Sequence, residues 1–126
     1  MKETDIQIGI VDWIKNHEDD YEVLKCIYHI PNSFFGTGFG VIKWLGKLGL
    51  KKGVFDLCIP IDNGVYPFCY IEIKSAKGKL SEDQKRFKDI VMRNSNRMPL
   101  FVEIRSIEDG IVFIKRYLGI EEECID

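Results

Sequence analysis

Gly53-Val54-Phe55-Asp56-Leu57-Cys58-Ile59-Pro60, followed after a turn by Phe68-Cys69-Tyr70-Ile71-Glu72-Ile73-Lys74, reads as two short strands that carry an Asp, a Glu and a Lys within apolar sequence. Between them lies Asp62-Asn63-Gly64, turn chemistry in which Asn and Gly tolerate positive φ, so the strands pair most simply as an antiparallel hairpin. A loop centred on Gly64 sets Asp56 opposite Glu72. Directly opposed residues on one face have Cβ atoms roughly 4.5 to 5.5 Å apart, near enough for two carboxylates to hold one hard cation. Lys74 lies two residues beyond Glu72, and the period of two in a strand brings its ammonium to the same face. Two buried like charges repel, so a divalent ion and a lysine are what this pair requires. Glu-x-Lys alone is common and reads, without context, as the solvated face of a strand. The apolar flanks Leu57, Cys58, Ile59, Tyr70, Ile71 and Ile73 argue instead for buried segments.

A length of 126 residues suits one compact domain spanning 1–126, long enough for a sheet covered by helices and too short for two cores. No apolar run approaches the roughly 20 residues of a membrane span. The first ten residues lack the basic-then-apolar pattern of a signal peptide, so a cytoplasmic setting is expected. The cysteines, Cys26, Cys58, Cys69 and Cys124, show no CxxC spacing, which argues against a zinc site and a disulfide framework. Cys58 and Cys69 point to opposite faces in this register, and reduced thiols follow.

The formal net charge is only −2, yet residues 23–102 carry 13 Lys/Arg against 6 Asp/Glu while the two ends carry 5 against 14. A basic centre around an acidic pair points to a polyanionic partner. Lysines on exposed helix faces would give the same count.

In chain order, Glu3, Ile6, Ile10, Trp13 or Ile14, and His17 form one stripe of a helix over residues 3–17. A carboxylate at Glu3 gains from the helix dipole, or the stripe faces the sheet and delivers Glu3 to the ion. Tyr21 to Ile30 reads as a first strand ended by Pro31. The glycines around Phe34 to Gly40 make a loop, but no Gly-Lys-Ser/Thr follows, so it is not a phosphate-binding P-loop. Residues 41–50 form a short helix with Lys43 and Lys47 four apart, and Lys51-Lys52 then lead into the Asp56 strand, where phosphate contact is expected. After Lys74 comes a basic turn with Lys77 and Lys79. Ser81 and Gln84 then make a capping box at the start of a helix, and Gln84 shares its face with Phe87 and Val91, which lets it reach back to Glu72 and Lys74. Residues 99–104 read as a last strand. Ile107 to Leu118 reads either as a closing helix or as a hairpin across Asp109-Gly110 with a helical tail. Glu121 to Glu123 reads as a frayed acidic end.

These residues together resemble the VRR-NUC branch of the PD-(D/E)XK nuclease superfamily, in its small stand-alone form typical of phages and other mobile elements. The likeness is carried by Glu3-x-x-Ile6-Gln7, His29-x-Pro31-Asn32, Leu48-Gly49-x-Lys51-x-Gly53, Gly53-x-x-Asp56-Leu57, Ile71-Glu72-x-Lys74 and Gly78-Lys79-Leu80-Ser81-x-x-Gln84. One departure is Phe55, where the family usually has proline just before the aspartate; the proline bears no ligand, so loop shape changes more than chemistry. The resemblance implies a restriction-endonuclease-like α/β fold with a mixed central sheet flanked by helices. It also implies a magnesium-dependent phosphodiesterase site made of Glu3, Asp56, Glu72 and Lys74, supported by Gln84, in a homodimer within a phage or prokaryotic host cell.

The expected function is a Mg²⁺- or Mn²⁺-dependent DNA endonuclease acting on branched, flapped or four-way DNA. Asp56, Glu72 and the Ile73 carbonyl hold the ion, Glu3 serves a second ion directly or through water, and Lys74 acts on the water or the phosphorane. Asn32, Lys43, Lys47, Lys51, Lys52, Lys77 and Lys79 are the expected DNA contacts. Two other readings are a nucleic-acid-binding module without turnover, against which the intact Asp, Glu and Lys speak, and a sequence-specific restriction-type nuclease, for which a chain this short has few elements to enter a major groove.

Overall fold

In the computed structural model of the chain, which describes residues 1–31 and 38–121, a mixed four-stranded sheet lies between helices. The strands are β1 (Tyr28–His29), β2 (Leu57–Ile59), β3 (Cys69–Ile73) and β4 (Leu100–Ile104), in that spatial order. β1 and β3 run antiparallel to β2, whereas β4 runs parallel to β3. The pairing of Leu57 with Ile71 and of Ile59 with Cys69 is the register expected from the hairpin, and one further step sets Asp56 across from Glu72. The turn chemistry also operates: Asp62 accepts from the Gly64 N–H, and Asn63 Oδ1 accepts from the N–H groups of Val65 and Tyr66.

Strand alternation divides the sheet into two faces of different character. On one, Leu57, Ile59, Cys69, Ile71, Ile73 and Ile104 join the buried Ile6, Ile10 and Ile14 of α1 (Glu3–His17) and Ile114 and Tyr117 of α4 (Ile107–Leu118) in a single aliphatic cluster. On the other, Tyr70 and Phe101 meet Phe55 and Phe87, with ring centroids 5.1 to 6.4 Å apart. Phe87 belongs to α3 (Glu82–Arg93), the crossover helix that a parallel β3–β4 pair requires. Phe55 is 1% exposed, so the residue before Asp56 is an anchor of this second layer.

Two local expectations are corrected. Tyr21 to Ile30 is not one strand: Glu22–Cys26 forms a 3₁₀ helix, and pairing is confined to Tyr28 and His29. The reason lies in spacing by three. Leu24 accepts from Ile27 N and donates to Tyr21 O, which drives Leu24 fully into the core while Glu22 and Lys25 stay outside. The helix expected over 41–50 is α2, Phe39–Lys47, displaced toward the N-terminus. For Ile107 to Leu118, of the two readings the helix is the one observed.

Gly110 therefore serves packing and not a turn. A Cβ there would lie 2.4 Å from Ile10 Cδ1 and 3.2 Å from Ile104 Cγ2, so the missing side chain is what lets α4 seat against α1. Cys58 and Cys69 do face opposite ways, and they and Cys26 are free thiols. Among the described residues no helix is long and apolar enough to cross a membrane. Cys124 and the acidic end beyond Glu121 lie outside the described residues.

Gly110→Val should destabilise by about 1 to 3 kcal/mol, the usual cost of overpacking a core. Gly46→Ala in exposed α2, where an added Cβ meets nothing within 4 Å, should instead stabilise by up to about 1 kcal/mol through helix propensity. Thermal unfolding of both variants reads the sign, and a gain for Gly110→Val would remove the close-approach account.

Candidate active site

Four segments converge at the C-terminal end of β3: the first turn of α1, the Lys52–Asp56 approach to β2, the β3 end itself, and the N-terminus of α3. They border a cleft of about 850 Å³ whose walls include Glu3, Gln7, His29, Lys52, Asp56, Glu72, Lys74 and Gln84.

Glu72 sits at the centre of the hydrogen bonding. It is 3% exposed, and a buried carboxylate must find donors or lose its charge. Oε1 accepts from the Asp56 N–H at 3.1 Å, and Oε2 accepts from Gln84 Nε2 at 2.5 Å and stands 3.3 Å from Lys74 Nζ. Asp56 answers across the strands, with Oδ2 accepting from the Ile73 N–H at 2.8 Å. Burial first, and then the Asp56 charge, push the Glu72 carboxyl up to about 7, while Lys74 and the Gln84 amide oppose the rise.

Gln84 reaches Glu72 because of how its helix begins. Ser81 Oγ accepts from Gln84 N, and Gln84 Oε1 accepts from Ser81 N, which is the expected capping box. The oxygen is thereby taken by the cap and the amide nitrogen is aimed at Glu72. Gly53 makes the approach possible: at φ +84°, a Cβ would fall 2.3 Å from the Asp83 carbonyl oxygen and 3.0 Å from Gln84 N. Only a residue without a side chain passes so close to the start of α3.

Glu3 borders the same cleft, and its Oε1 accepts from Ser75 N at 3.3 Å, one residue past Lys74. It stands off from the central pair: among the described residues no three His, Cys, Asp or Glu side chains gather as a ready ligand set. The central donors still suit a small divalent ion. Mg²⁺ is commonly held by one or two carboxylates with water and substrate phosphate completing its shell, and Asp56 Oδ1 takes no hydrogen bond among the described residues.

The lysines are distributed differently from the expectation. Of those expected to contact DNA, only Lys52 lines the cleft, where Lys15 and Lys74 also stand among Glu3, Asp12, Asp56, Glu72 and Asp83. Lys43 and Lys47 lie exposed on α2, Lys51 on the turn after it, and Lys77 and Lys79 on the turn after β3. The cleft itself is acidic and the basic surplus surrounds it. Asn32 lies outside the described residues.

Two contributors carried no sequence signal or only a faint one. Arg105 Nη1 donates to the carbonyls of Ser75 and Gly78 at 2.6 and 2.7 Å, stapling the turn that follows Lys74; nothing in its sequence neighbourhood marks it. His29 Nδ1 lies 2.8 Å from the Asp56 carbonyl oxygen. Its only sequence signal was its place before Pro31-Asn32.

An Asp and a Glu face each other across two strands of a mixed α/β domain, with a Lys two residues on and a Gln brought from the next helix. A family model described as the VRR-NUC domain matches residues 1–104, and the chain belongs to that family of nucleases. A solved structure described as a VRR_NUC domain protein superposes with a TM-score of 0.72 at 21% identity, over 95% of this chain and 90% of that one. A search of curated proteins finds no match. The fold is the mixed α/β fold of that VRR_NUC domain protein, with which the expected PD-(D/E)XK superfamily is consistent, and DNA is the partner that a nuclease domain implies.

The Glu72 carboxyl gives the metal-free protein a pH dependence. Its folded value, about 7, is above the ordinary 4.5, so the folded state binds the extra proton. Stability from this group is full below the ordinary value and is lost as pH rises through about 7. Chemical denaturation in EDTA should show that fall between acidic and neutral pH. Asp56→Asn, which removes the facing charge, should flatten it and raise the melting temperature at neutral pH; an unchanged slope would show that Asp56 does not act on Glu72.

Proposed function

We propose that this protein is a Mg²⁺- or Mn²⁺-dependent DNA endonuclease that selects branched, flapped or four-way DNA and works as a homodimer in the cytoplasm. The observation that carries the reading is the pair of bonds across the strands, Asp56 N–H to Glu72 Oε1 and Ile73 N–H to Asp56 Oδ2, with Lys74 3.3 Å from Glu72 and with Asp56, Glu72 and Lys74 all lining the cleft. Asp56, Glu72 and the Ile73 carbonyl would hold a divalent ion, which would supply Lewis acidity toward phosphate and toward a water whose pKa is otherwise ~15.7.

The protein's own groups do the rest. Lys74, with a side chain only 12% exposed, keeps its ammonium against Glu72 and presents a cation where negative charge develops on the phosphorane. Gln84 holds Glu72 by one oxygen, which fixes the carboxylate plane without adding charge. Glu3, tied to Ser75 N, acts at the edge of the cleft through water or a second ion. The exposed lysines on α2 and on the turns after α2 and β3 hold the phosphate backbone on either side.

The homodimer rests on α2. No residue of that helix is buried, and Phe39, Trp44 and Leu48 are 82%, 59% and 66% exposed. A two-fold pair would cover this face and aim two sites at the two strands of a junction. Phe34 and Phe35, expected to share the surface, lie outside the described residues.

Incubation with matched linear, flapped and four-way DNA in Mg²⁺, Mn²⁺ or EDTA tests the activity, and binding without cleavage in every metal would favour the module without turnover. Lys74→Ala should lower the cleavage rate by at least about 10²-fold, the order lost with one transition-state donor, while DNA affinity in EDTA stays near wild type. Cleavage at the wild-type rate removes Lys74 from the reaction. Light scattering should find a dimer that Trp44→Glu converts to monomer, with paired cuts on a four-way junction replaced by single nicks; a wild-type monomer would end the dimer reading.

A further inference from the structure

The carbonyl oxygen of Asp56 is held from two directions. Ile30 N donates to it at 2.9 Å, and His29 Nδ1 stands 2.8 Å away. A carbonyl has no proton to give, so the second contact requires the proton on Nδ1. Gln7 of α1 places its side-chain amide nitrogen 3.0 Å from the same His29 nitrogen, where two donors cannot pair. With Nδ1 protonated, the amide meets it through its oxygen, since the two ends of an amide group are sterically equivalent. The Asp56 carbonyl thus sets the tautomer and Gln7 helps hold the ring's orientation, and Nε2 of His29 has no partner among the described residues.

The consequence falls on the carboxylate. Asp56 is one residue outside β2, and beyond the end of the strand its carbonyl is held by the Ile30 N–H and by His29 Nδ1 together. Its own N–H, in the preceding Phe55–Asp56 peptide, donates to Glu72 Oε1, and its carboxylate takes the Ile73 N–H. We propose that His29, oriented by Gln7, is a positioning residue that locks the Asp56 main chain through Nδ1 and thereby sets the geometry of the Asp56–Glu72 pair for its cation. This rests on the metal-site reading above. It couples α1, which packs on the aliphatic face, to a carboxylate on the opposite face.

Side-chain shape supplies the test. The Asn amide nitrogen occupies the place of His Nδ1, and the Gln amide nitrogen that of Nε2. The measurements are Mn²⁺ affinity by calorimetry, kcat and KM on DNA, and melting temperature in EDTA. His29→Gln and His29→Ala should weaken Mn²⁺ binding about tenfold or more, the scale of loss for groups that orient metal ligands, and lower kcat with little change in KM. His29→Asn should restore Mn²⁺ affinity to near the wild-type value. Gln7→Ala should shift Mn²⁺ affinity in the same direction as His29→Ala, and the double variant should lose little more than the worse single one. Restoration by Gln in place of Asn would mean that Nε2 acts on substrate and would overturn the proposal, as would unchanged Mn²⁺ affinity in His29→Ala. A loss of melting temperature equal in the Asn, Gln and Ala variants would reduce His29 to a fold residue. A wild-type protein that binds no Mn²⁺ would sink the metal-site reading itself, whereas a binding wild type with unaffected variants sinks this inference alone.

Discussion

A buried carboxylate that must be satisfied governs this structure. Glu72 is inside the protein, and three donors from three segments meet it: a main-chain N–H before β2, a side-chain amide from α3 and the ammonium of Lys74. The Asp56 N–H is the donor to Oε1 while Gln84 and Lys74 share Oε2, and a buried carboxylate oxygen left without a donor costs more than the bond itself is worth in water. The surrounding geometry follows from that demand. α3 has to begin above the end of β3, and the chain entering β2 has to pass beneath its first turn, where only glycine fits.

The same crossover helix serves topology and chemistry together. β3 and β4 are parallel, so the chain must cross over between them, and the segment that does so is capped by the residue that holds Glu72. Gln84 gives its oxygen to the cap and its nitrogen to the site. Stability of the helix start and orientation of the carboxylate therefore draw on one side chain.

What could be read from the sequence was what strict periodicity determines. A period of two put Asp56, Glu72 and Lys74 on one face, a period near four put Ile6, Ile10 and Ile14 against the sheet, and Ser81 with Gln84 marked a helix start. Contacts between segments distant in sequence had no periodic trace. Arg105 lies 30 residues from the Ser75 carbonyl it grips, and Gln7 lies 22 from His29. Short elements misled in another way: Tyr21 to Ile30 has β-rich composition, yet burial of the single Leu24 side chain at a spacing of three outweighed it. Asp109-Gly110 was ambiguous because the same dipeptide serves a turn by its backbone freedom and a helix contact by its small volume.

Phe55 stands where proline is usual in this family, and the two residues restrain a chain by different thermodynamic routes. Proline narrows the unfolded ensemble, an effect of chain entropy. Phe55 does nothing to the unfolded chain but hides its ring among Tyr70, Phe87 and Phe101, so its hold on the approach to Asp56 comes with a heat-capacity change. Such a restraint weakens on cooling. The segment that presents the aspartate is consequently tethered more firmly in warmth than near freezing, a temperature signature that a proline at this position would not have written into the site.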